Sequence, residues 1–383
     1  MKKREAICPF CFSPIMVFVP KSGVFEEQYC ERCGSRIPEE VLYSELLPIM
    51  VVGPSRSGKT HFLTVMAHQL LEDVVWPSYW VASRIVRVRR QDSEVEPQSF
   101  GIALSDDDFL NFEESLYPQL GAGVILQQTE RRDETRLPLS LVVHLSFEKP
   151  RSPFGGEPYG KKSVLLAFTD TAGEDLARTG WGDIVEKYPI LDRGLAKAMI
   201  ALVDPAELTG LRDDIAANPI LEQRYGEVGI ELKVQATMAS VLSIPQIRKM
   251  RSTPIAVCMT KTDGLAMMGQ FSDEDPIISP VSSLSVNRGG DGKVNLSAIH
   301  EVSNAVERFL MSKDKDGDDK IARAASNFRY RSFFAIDALG PAIKSVETVD
   351  GRRLIKGTPS PRRVLDPLLW ILWQYGLVGG TYR

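Results

Sequence analysis

Short, almost wholly apolar runs recur along the chain, and each ends on a polar or glycine-rich turn. They are Leu46 to Val52 before Gly53, Val164 to Phe168 before Asp170, Ala198 to Val203 before Asp204, Pro254 to Met259 before Thr260, and Ser332 to Ile336 before Asp337. Runs this short and this apolar predict strands buried on both faces. Between them the apolar period lengthens. Phe62, Leu63, Val65, Met66 and Leu70 fall at helical spacing within His61 to Glu72, and Leu296 to Met311 reads as a second helix. Strand alternating with helix, with polar residues where the strands end, predicts an α/β fold with a doubly wound, mostly parallel sheet.

The remaining pattern is less regular. Arg84 to Arg90 alternates arginine with Val86 and Val88, which predicts a half-exposed strand with a basic face. Asp106 to Leu116 has the spacing of an amphipathic helix capped by Ser105, and Leu139 to Phe147 reads as a strand. Lys149 to Lys162 carries the proline and glycine of a connection, and residues 272–294 have the Ser, Pro, Gly and Asp of a long loop. The tail predicts a last helix, with Asp366 as cap, Pro367 at its first position and apolar residues through Trp373.

Composition adds exclusions. The 383 residues are 43% hydrophobic and 25% charged, as in ordinary globular proteins, and a net charge of −4 gives no general attraction to nucleic acid or membrane. No apolar run approaches the roughly 18 residues of a membrane span. Met1-Lys2-Lys3-Arg4 is followed by cysteines and proline, not by the apolar core of a secretory signal. Four of the five cysteines pair as Cys8-Pro-Phe-Cys11 and Cys30-Glu-Arg-Cys33. Two CxxC turns at this spacing predict one tetrahedral zinc site without an open position, hence a structural one, ahead of a redox pair or an iron–sulfur centre. A unit of about 40 residues has little core of its own, so the metal is expected to stabilise it. Whether that ribbon meets protein, nucleic acid or the adjacent domain stays open. Thiols used this way point to the cytoplasm as compartment. Cys258, in an apolar run, reads as a core thiol.

The strongest chemical signal is Gly53-Pro54-Ser55-Arg56-Ser57-Gly58-Lys59-Thr60, which matches the phosphate-loop pattern G-x-x-x-x-G-K-[ST] between a strand and a helix. Backbone N–H groups from Gly53, Ser55, Ser57 and Gly58 would curl around phosphate at the positive end of the helix. Lys59 would neutralise the β and γ oxygens, and Thr60 would ligate Mg²⁺. Asp170-Thr171-Ala172-Gly173 follows a buried strand, as an acidic residue linked to Mg²⁺ and a γ-phosphate-sensing glycine should. Thr260-Lys261-Thr262-Asp263 ends a later strand. A carboxylate there accepts from the N1–H and N2 amino groups of guanine, and adenine offers neither donor. The Lys261 stem would lie along the base. TKxD alone arises by chance in about one chain in ten of this length, so the set and its order carry the reading.

On these three motifs the chain resembles the Ras-like and translation-factor class of P-loop GTPases, over residues 46–340 discontinuously. The resemblance implies a GTP- and GDP-binding, Mg²⁺-dependent hydrolase of that fold. It also implies that the N–H of Ala338, in Asp337-Ala338-Leu339, bonds guanine O6, although the family usually has serine where Asp337 stands. The switch threonine on Mg²⁺ is expected before Leu139, at Thr129 or Thr135, with Thr129 preferred. Glu174 stands where the family carries a water-positioning glutamine; orienting that water and a solvated loop acid both stay open. Arg56 gives the loop the GxxRxGK[ST] form of guanylate-binding proteins and atlastin, which implies an internal arginine finger engaged by homodimerisation; an exposed arginine screening phosphate charge from a distance also stays open. The ribbon, the insertion and the Pro-Leu-Leu-Trp tail together look like bacterial double-GTPase-type proteins of multicomponent defence systems.

The expected organisation is a ribbon over 1–40, a GTPase domain over 46–340 with an insertion at about 74–160, and an extension over 341–383 whose helix packs on that domain. Partners beyond the nucleotide are expected through the ribbon or the insertion. Two other functions fit the residues: a nucleotide-gated adaptor with little turnover, and a P-loop ATPase. Asp314 to Asp318 lacks the glutamate of a calcium loop and reads as a solvated turn. The arginines at 84, 87, 89 and 90 read as a solvated strand face, and Trp370 and Trp373 as packing residues.

Overall fold

The computed structural model describes residues 2–20, 25–54, 57–71, 80–85, 141–147, 162–172, 188–192, 194–219, 221–222, 238–244, 247, 249–266, 268, 271–272, 274–279, 293–312, 319–340, 345–349, 352–356 and 360–382. Outside them lie the expected helix at 106–116, the connection at 149–161, the segment 280–292 and the turn at 314–318.

A seven-stranded sheet organises the chain. Its strands are β3 (Glu45–Gly53), β4 (Trp80–Ile85), β5 (Leu141–Phe147), β6 (Lys162–Ala172), β7 (Ala198–Val203), β8 (Ile255–Met259) and β10 (Arg331–Ala335), in the order β10-β8-β7-β3-β6-β5-β4. The five strands from β10 to β6 run parallel, and β5 and β4 add antiparallel at one edge. This is the expected α/β, doubly wound and mostly parallel sheet. Every apolar run named above is one of its strands. The strand Trp80–Ile85 overlaps the expected strand at Arg84 to Arg90 only in its first two residues, and residues 86–90 lie outside those described.

Both faces of the five parallel strands are buried, which is why they read as continuous apolar runs. Ile49, Val51, Ile200, Leu202, Ala256 and Cys258 face one layer, with Phe62, Leu63, Met66 and Leu70 of α1 (Lys59–Leu71). Met50, Val52, Met199, Ala201, Val203, Val257 and Met259 face the other. That layer holds α2 (Thr209–Ala216), α3 (Met238–Leu242), α5 (Leu296–Ser312) and α6 (Asp319–Ala325). A five-residue helix, α4 (Thr262–Ala266), follows β8 directly. Pro48 is tolerated in a central strand because of where it sits. Its carbonyl accepts from Lys197 N at 2.8 Å, just ahead of β7, so its missing N–H removes no bond from that ladder.

The N-terminal cysteine-bearing unit, which begins with the hairpin of β1 (Lys2–Ile7) and β2 (Pro14–Val19), ends almost directly on the sheet. A 3₁₀ turn at Glu39–Leu42 leads into β3, with only Tyr43 and Ser44 between them. Ser44 and Ser163 share a hydroxyl hydrogen bond of 2.7 Å, and Tyr43 packs edge-on against His144 of β5 at 6.2 Å. Phe10, Phe12, Val17 and Ile37 belong to the same continuous core as Met50 and Val52.

After the hairpin of β11 (Ser345–Val349) and β12 (Arg352–Lys356), α7 (Asp366–Gln374) closes the chain against the opposite layer. Its Leu368, Leu369, Ile371 and Leu372 are buried, and Trp370 meets Phe334 at 6.0 Å between ring centroids. The helix departs from expectation at its start. Asp366 is its first residue, and Leu365 holds the cap position without a capping side chain. The two-residue strand β13 (Gly380–Thr381) then pairs with β9 (Val294–Asn295). Because Ile371 is fully buried, Ile371→Ala is expected to cost about 2–5 kcal/mol in urea unfolding. A loss within about 0.5 kcal/mol, the range of a surface change, would show that the helix does not share the core.

Candidate nucleotide site and four-cysteine cluster

Parallel strands all point the same way, so the polar residues that end them gather along one edge. The strand order reverses at β3, with β6 on one side and β7 on the other, and ligands of open α/β sheets bind at such a point. The phosphate loop follows β3 there. Gly53 ends the strand where a Cβ would stand 2.5 Å from Ser57 Oγ and 3.2 Å from Leu202, so only glycine passes. Gly58 has φ +85°, the left-handed turn into α1. The Ser57 hydroxyl is buried beneath the loop with no hydrogen-bond partner among the described residues. Lys59 folds back over the loop, its Nζ donating to Gly53 O at 2.8 Å and Pro54 O at 2.9 Å. Thr60 follows it in the first turn of α1.

Next to the loop, register places Val51 opposite Asp170, Val52 opposite Thr171 and Gly53 opposite Ala172. The Thr171 hydroxyl donates to Val51 O at 2.9 Å, tying the two strand ends together. Asp170 is buried beside the loop. Thr60 and Asp170 offer hard oxygen donors, a hydroxyl and a carboxylate, which suits Mg²⁺. Ser55, Arg56, Thr129, Thr135, Gly173 and Glu174 lie outside the described residues.

On the other flank, β7 separates the loop from Thr260-Lys261-Thr262-Asp263. Thr260 extends the ladder, its N–H and hydroxyl donating to Val203 O at 2.9 and 3.1 Å. Lys261 adopts φ +52°, a left-handed conformation that costs a non-glycine residue about 1–2 kcal/mol. The kink sends its Nζ to Asp204 Oδ2 at 2.5 Å. Asp263, in α4, is buried.

The loop after β10 closes this end. Asp337 Oδ1 accepts from Leu339 N at 3.1 Å and Gly340 N at 2.8 Å, and Oδ2 accepts from Asp263 N at 3.3 Å. The Asp337 carboxylate thus joins the loop of Ala338 to the helix of Asp263. The strap 360–362 holds the loop from outside. Asp337 and Arg362 exchange backbone bonds of 3.0 and 2.8 Å, and Ser360 N donates to Leu339 O at 2.8 Å. Gly340, at φ +83°, has no room for a Cβ against Ser360.

Of the expected site residues that are described, Gly53, Ser57, Gly58, Lys59, Thr60, Asp170, Thr260, Lys261, Asp263 and Ala338 all stand along this edge. Sequence reading passed over two contributors, Asp204 as a partner of Lys261 and Asp337 as a bridge. The available signal was the same for both: an acidic residue at the end of a buried strand.

No protein-family model matches the chain, and no curated protein matches it. Among solved structures it is similar to the G domain of the T. maritima FeoB iron transporter, at 9% identity over 60% of this chain and 78% of that one, with a TM-score of 0.21. It is also similar to the signal recognition particle receptor SRb-GTP/SRX complex from Chaetomium thermophilum, at 12% identity over 78% and 93% of the chains, with a TM-score of 0.26. A third likeness is to the cytosolic domain of L. pneumophila FeoB, at 10% identity over 72% and 85%, with a TM-score of 0.20. At these scores the likenesses add nothing to the strand order, which carries the fold. Among the described residues no helix is long and apolar enough to cross a membrane.

The four cysteines converge. Their sulfurs lie within 4.8 Å of one another, with Cys8 to Cys33 at 3.8 Å and Cys11 to Cys30 at 3.7 Å, and none is in a disulfide. A tetrahedron of zinc–sulfur bonds of about 2.3 Å has sulfurs about 3.8 Å apart, so the cluster fits zinc. The two knuckles repeat one geometry. Cys8 N donates to Ser13 O and Phe12 N to Cys8 O; Cys30 N donates to Ser35 O and Gly34 N to Cys30 O. Each turn needs a left-handed residue after its second cysteine, Phe12 at φ 59° and Gly34 at φ 69°. Glycine adopts this freely. For Phe12, burial of its ring, worth about 1.5–3 kcal/mol, offsets a backbone cost of about 1–2 kcal/mol.

Hydrogen bonds from Cys11 and then Cys33 pull the Cys30 thiol down, while those with Cys11 and Cys30 push Cys8 up. Four thiols this close share protons unequally, and a divalent cation lets all four ionise. The purified chain is expected to carry one zinc ion, measured by atomic emission, and Cys30→Ser to lose it with a lower melting temperature. Stoichiometric iron, or full stability after chelation, would count against a structural zinc site.

Proposed function

We propose that this chain is a Mg²⁺-dependent guanine-nucleotide-binding protein that hydrolyses GTP and acts as a switch. The observation that carries the reading is the convergence of the phosphate loop and buried Asp263 on one edge of the sheet, one strand apart. In this reading the Gly53–Gly58 backbone, including Ser55 and Ser57, and Lys59 hold the β- and γ-phosphates. Asp263 accepts from the two adjacent guanine donors, the Lys261 stem covers the base, with Thr260 opening that turn, and the Ala338 N–H meets O6. Thr60, Asp170 and Thr129 would hold Mg²⁺, which would supply positive charge against the phosphates.

Gly173 reads the γ-phosphate and Glu174 orients the attacking water. Arg56 completes the site as an arginine finger when two copies meet, an effect worth about 10³–10⁵ in rate. Zinc on Cys8, Cys11, Cys30 and Cys33 holds the ribbon. Residues 1–40 then form the ribbon, 46–340 the GTPase domain with its insertion at about 74–160, and 341–383 an extension braced on it. The ribbon or the insertion is where protein partners would be met, and the setting is cytoplasmic.

A site built on hydrogen bonds to a base rejects the analogue lacking them by up to about 10⁴–10⁵. GDP is therefore expected to bind far more tightly than ADP, measured by calorimetry with and without Mg²⁺. Asp263→Asn should reverse part of this preference toward xanthine nucleotides, whose C2 carbonyl accepts from an amide. Equal affinity for guanine and adenine nucleotides would sink the guanine reading. Hydrolysis per molecule should rise with protein concentration and fall in Arg56→Ala. A flat specific activity, the same in that variant, would remove the dimer from the mechanism.

A further inference from the structure

Two buried carboxylates at the base end of the site have their oxygens engaged by the protein itself. Asp204 gives Oδ2 to Lys261 Nζ at 2.5 Å and Oδ1 to Ala206 N at 3.0 Å. Asp337 gives Oδ1 to two loop N–H groups and Oδ2 to Asp263 N. They are 5% and 2% exposed, and a carboxylate buried this deeply is costly unless its oxygens are hydrogen-bonded, as these are. Placed beside two of the expected base-binding residues, each carboxylate makes bonds to them that an apolar residue could not.

We propose that Asp204 and Asp337 are the positioning residues of the base pocket, dividing its task between them. Asp204 fixes the Lys261 ammonium, and with it the aliphatic stem that covers the face of any purine. Asp337 fixes the helix of Asp263 against the loop of Ala338, and so sets the two groups that read the edge of the base. The strap 360–362 adds to this by holding Asp337 from behind, so the chain after the last sheet strand belongs to the specificity apparatus. The proposal rests on the guanine reading and deepens it.

Inosine diphosphate separates the two roles, because hypoxanthine keeps O6 and N1–H but lacks the N2 amino group that Asp263 also accepts. In the intact zinc-loaded chain, GDP should bind more tightly than IDP by about 10- to 100-fold, the value of a hydrogen bond to a charged acceptor. Asp337→Asn can still accept from the Leu339 and Gly340 N–H groups but presents an amide to Asp263 N. It should reduce the GDP/IDP ratio to below about threefold, and Asp337→Ser, with the side chain usual in the family, should bring part of the ratio back. Asp204→Asn should weaken GDP and IDP alike, by about tenfold, leaving their ratio unchanged. In a Lys261→Met background, which keeps the stem without the charge, the same Asp204 substitution should have no effect.

Thermal melting of each variant gives a control for general damage. A merely structural role would lower stability without moving the ratio in one variant and sparing it in the other. A GDP/IDP ratio untouched in Asp337→Asn, or an Asp204→Asn effect that persists with Lys261→Met, overturns the proposal while leaving the guanine preference of the parent chain intact. If the parent itself shows no preference for GDP over ADP, the underlying reading fails first.

Discussion

The structure depends on the turn at Gly53. There the central strand of a sheet buried on both faces must stop, reverse and hand the chain to α1 without a side chain in the way. The space left by the missing Cβ is already filled, by Ser57 Oγ on one side and Leu202 on the other. Because β3 is flanked by strands that continue outward in opposite directions, this turn opens into the crevice where the winding reverses. Every other polar strand end is arranged around it by the parallel registers alone.

The ribbon is tied into the same strand. Its last 3₁₀ turn runs into β3 across two residues, both of which contact other sheet strands, and Arg4 of β1 donates to Leu42 O in that turn. Its apolar residues continue the core beneath Met50 and Val52. A hairpin this small cannot bury enough of itself to fold alone, and it meets that need from two sources, a convergent set of thiols and a shared core. The outer edge of β2 is closed locally, where the Gln28 side chain bonds both the N–H and the carbonyl of Phe18 at 2.7 and 3.0 Å. An edge satisfied by a side chain offers less of a template for another strand.

Charge is spent sparingly in the sheet and concentrated at its C-terminal edge. Asp170, Asp204, Asp263 and Asp337 are all buried there, whereas the strands behind them are apolar on both faces. The left-handed backbone at Lys261 belongs to the same pattern, since strain of that kind persists where its surroundings hold it. The carboxylate at Asp337 is longer than a serine hydroxyl and reaches three backbone donors at once.

Much was legible in the chain before folding was considered. A strand buried on both faces must be apolar throughout and must end on something polar, so the order and the ends of β3, β6, β7, β8 and β10 could be read to within a few residues. The phosphate loop and the paired CxxC turns were equally plain, because their chemistry is local: a glycine where the backbone must turn, two thiolates on one knuckle. Contacts between residues far apart in sequence were not readable. The reach of Lys261 to Asp204, the bridge from Asp337 to Asp263 and the strap at Ser360 to Arg362 each join segments brought together only by strand order. So does the merging of the ribbon with the underside of β3. Local periodicity records what each segment must bury, but not which neighbour buries it, and at this edge the neighbour decides the chemistry.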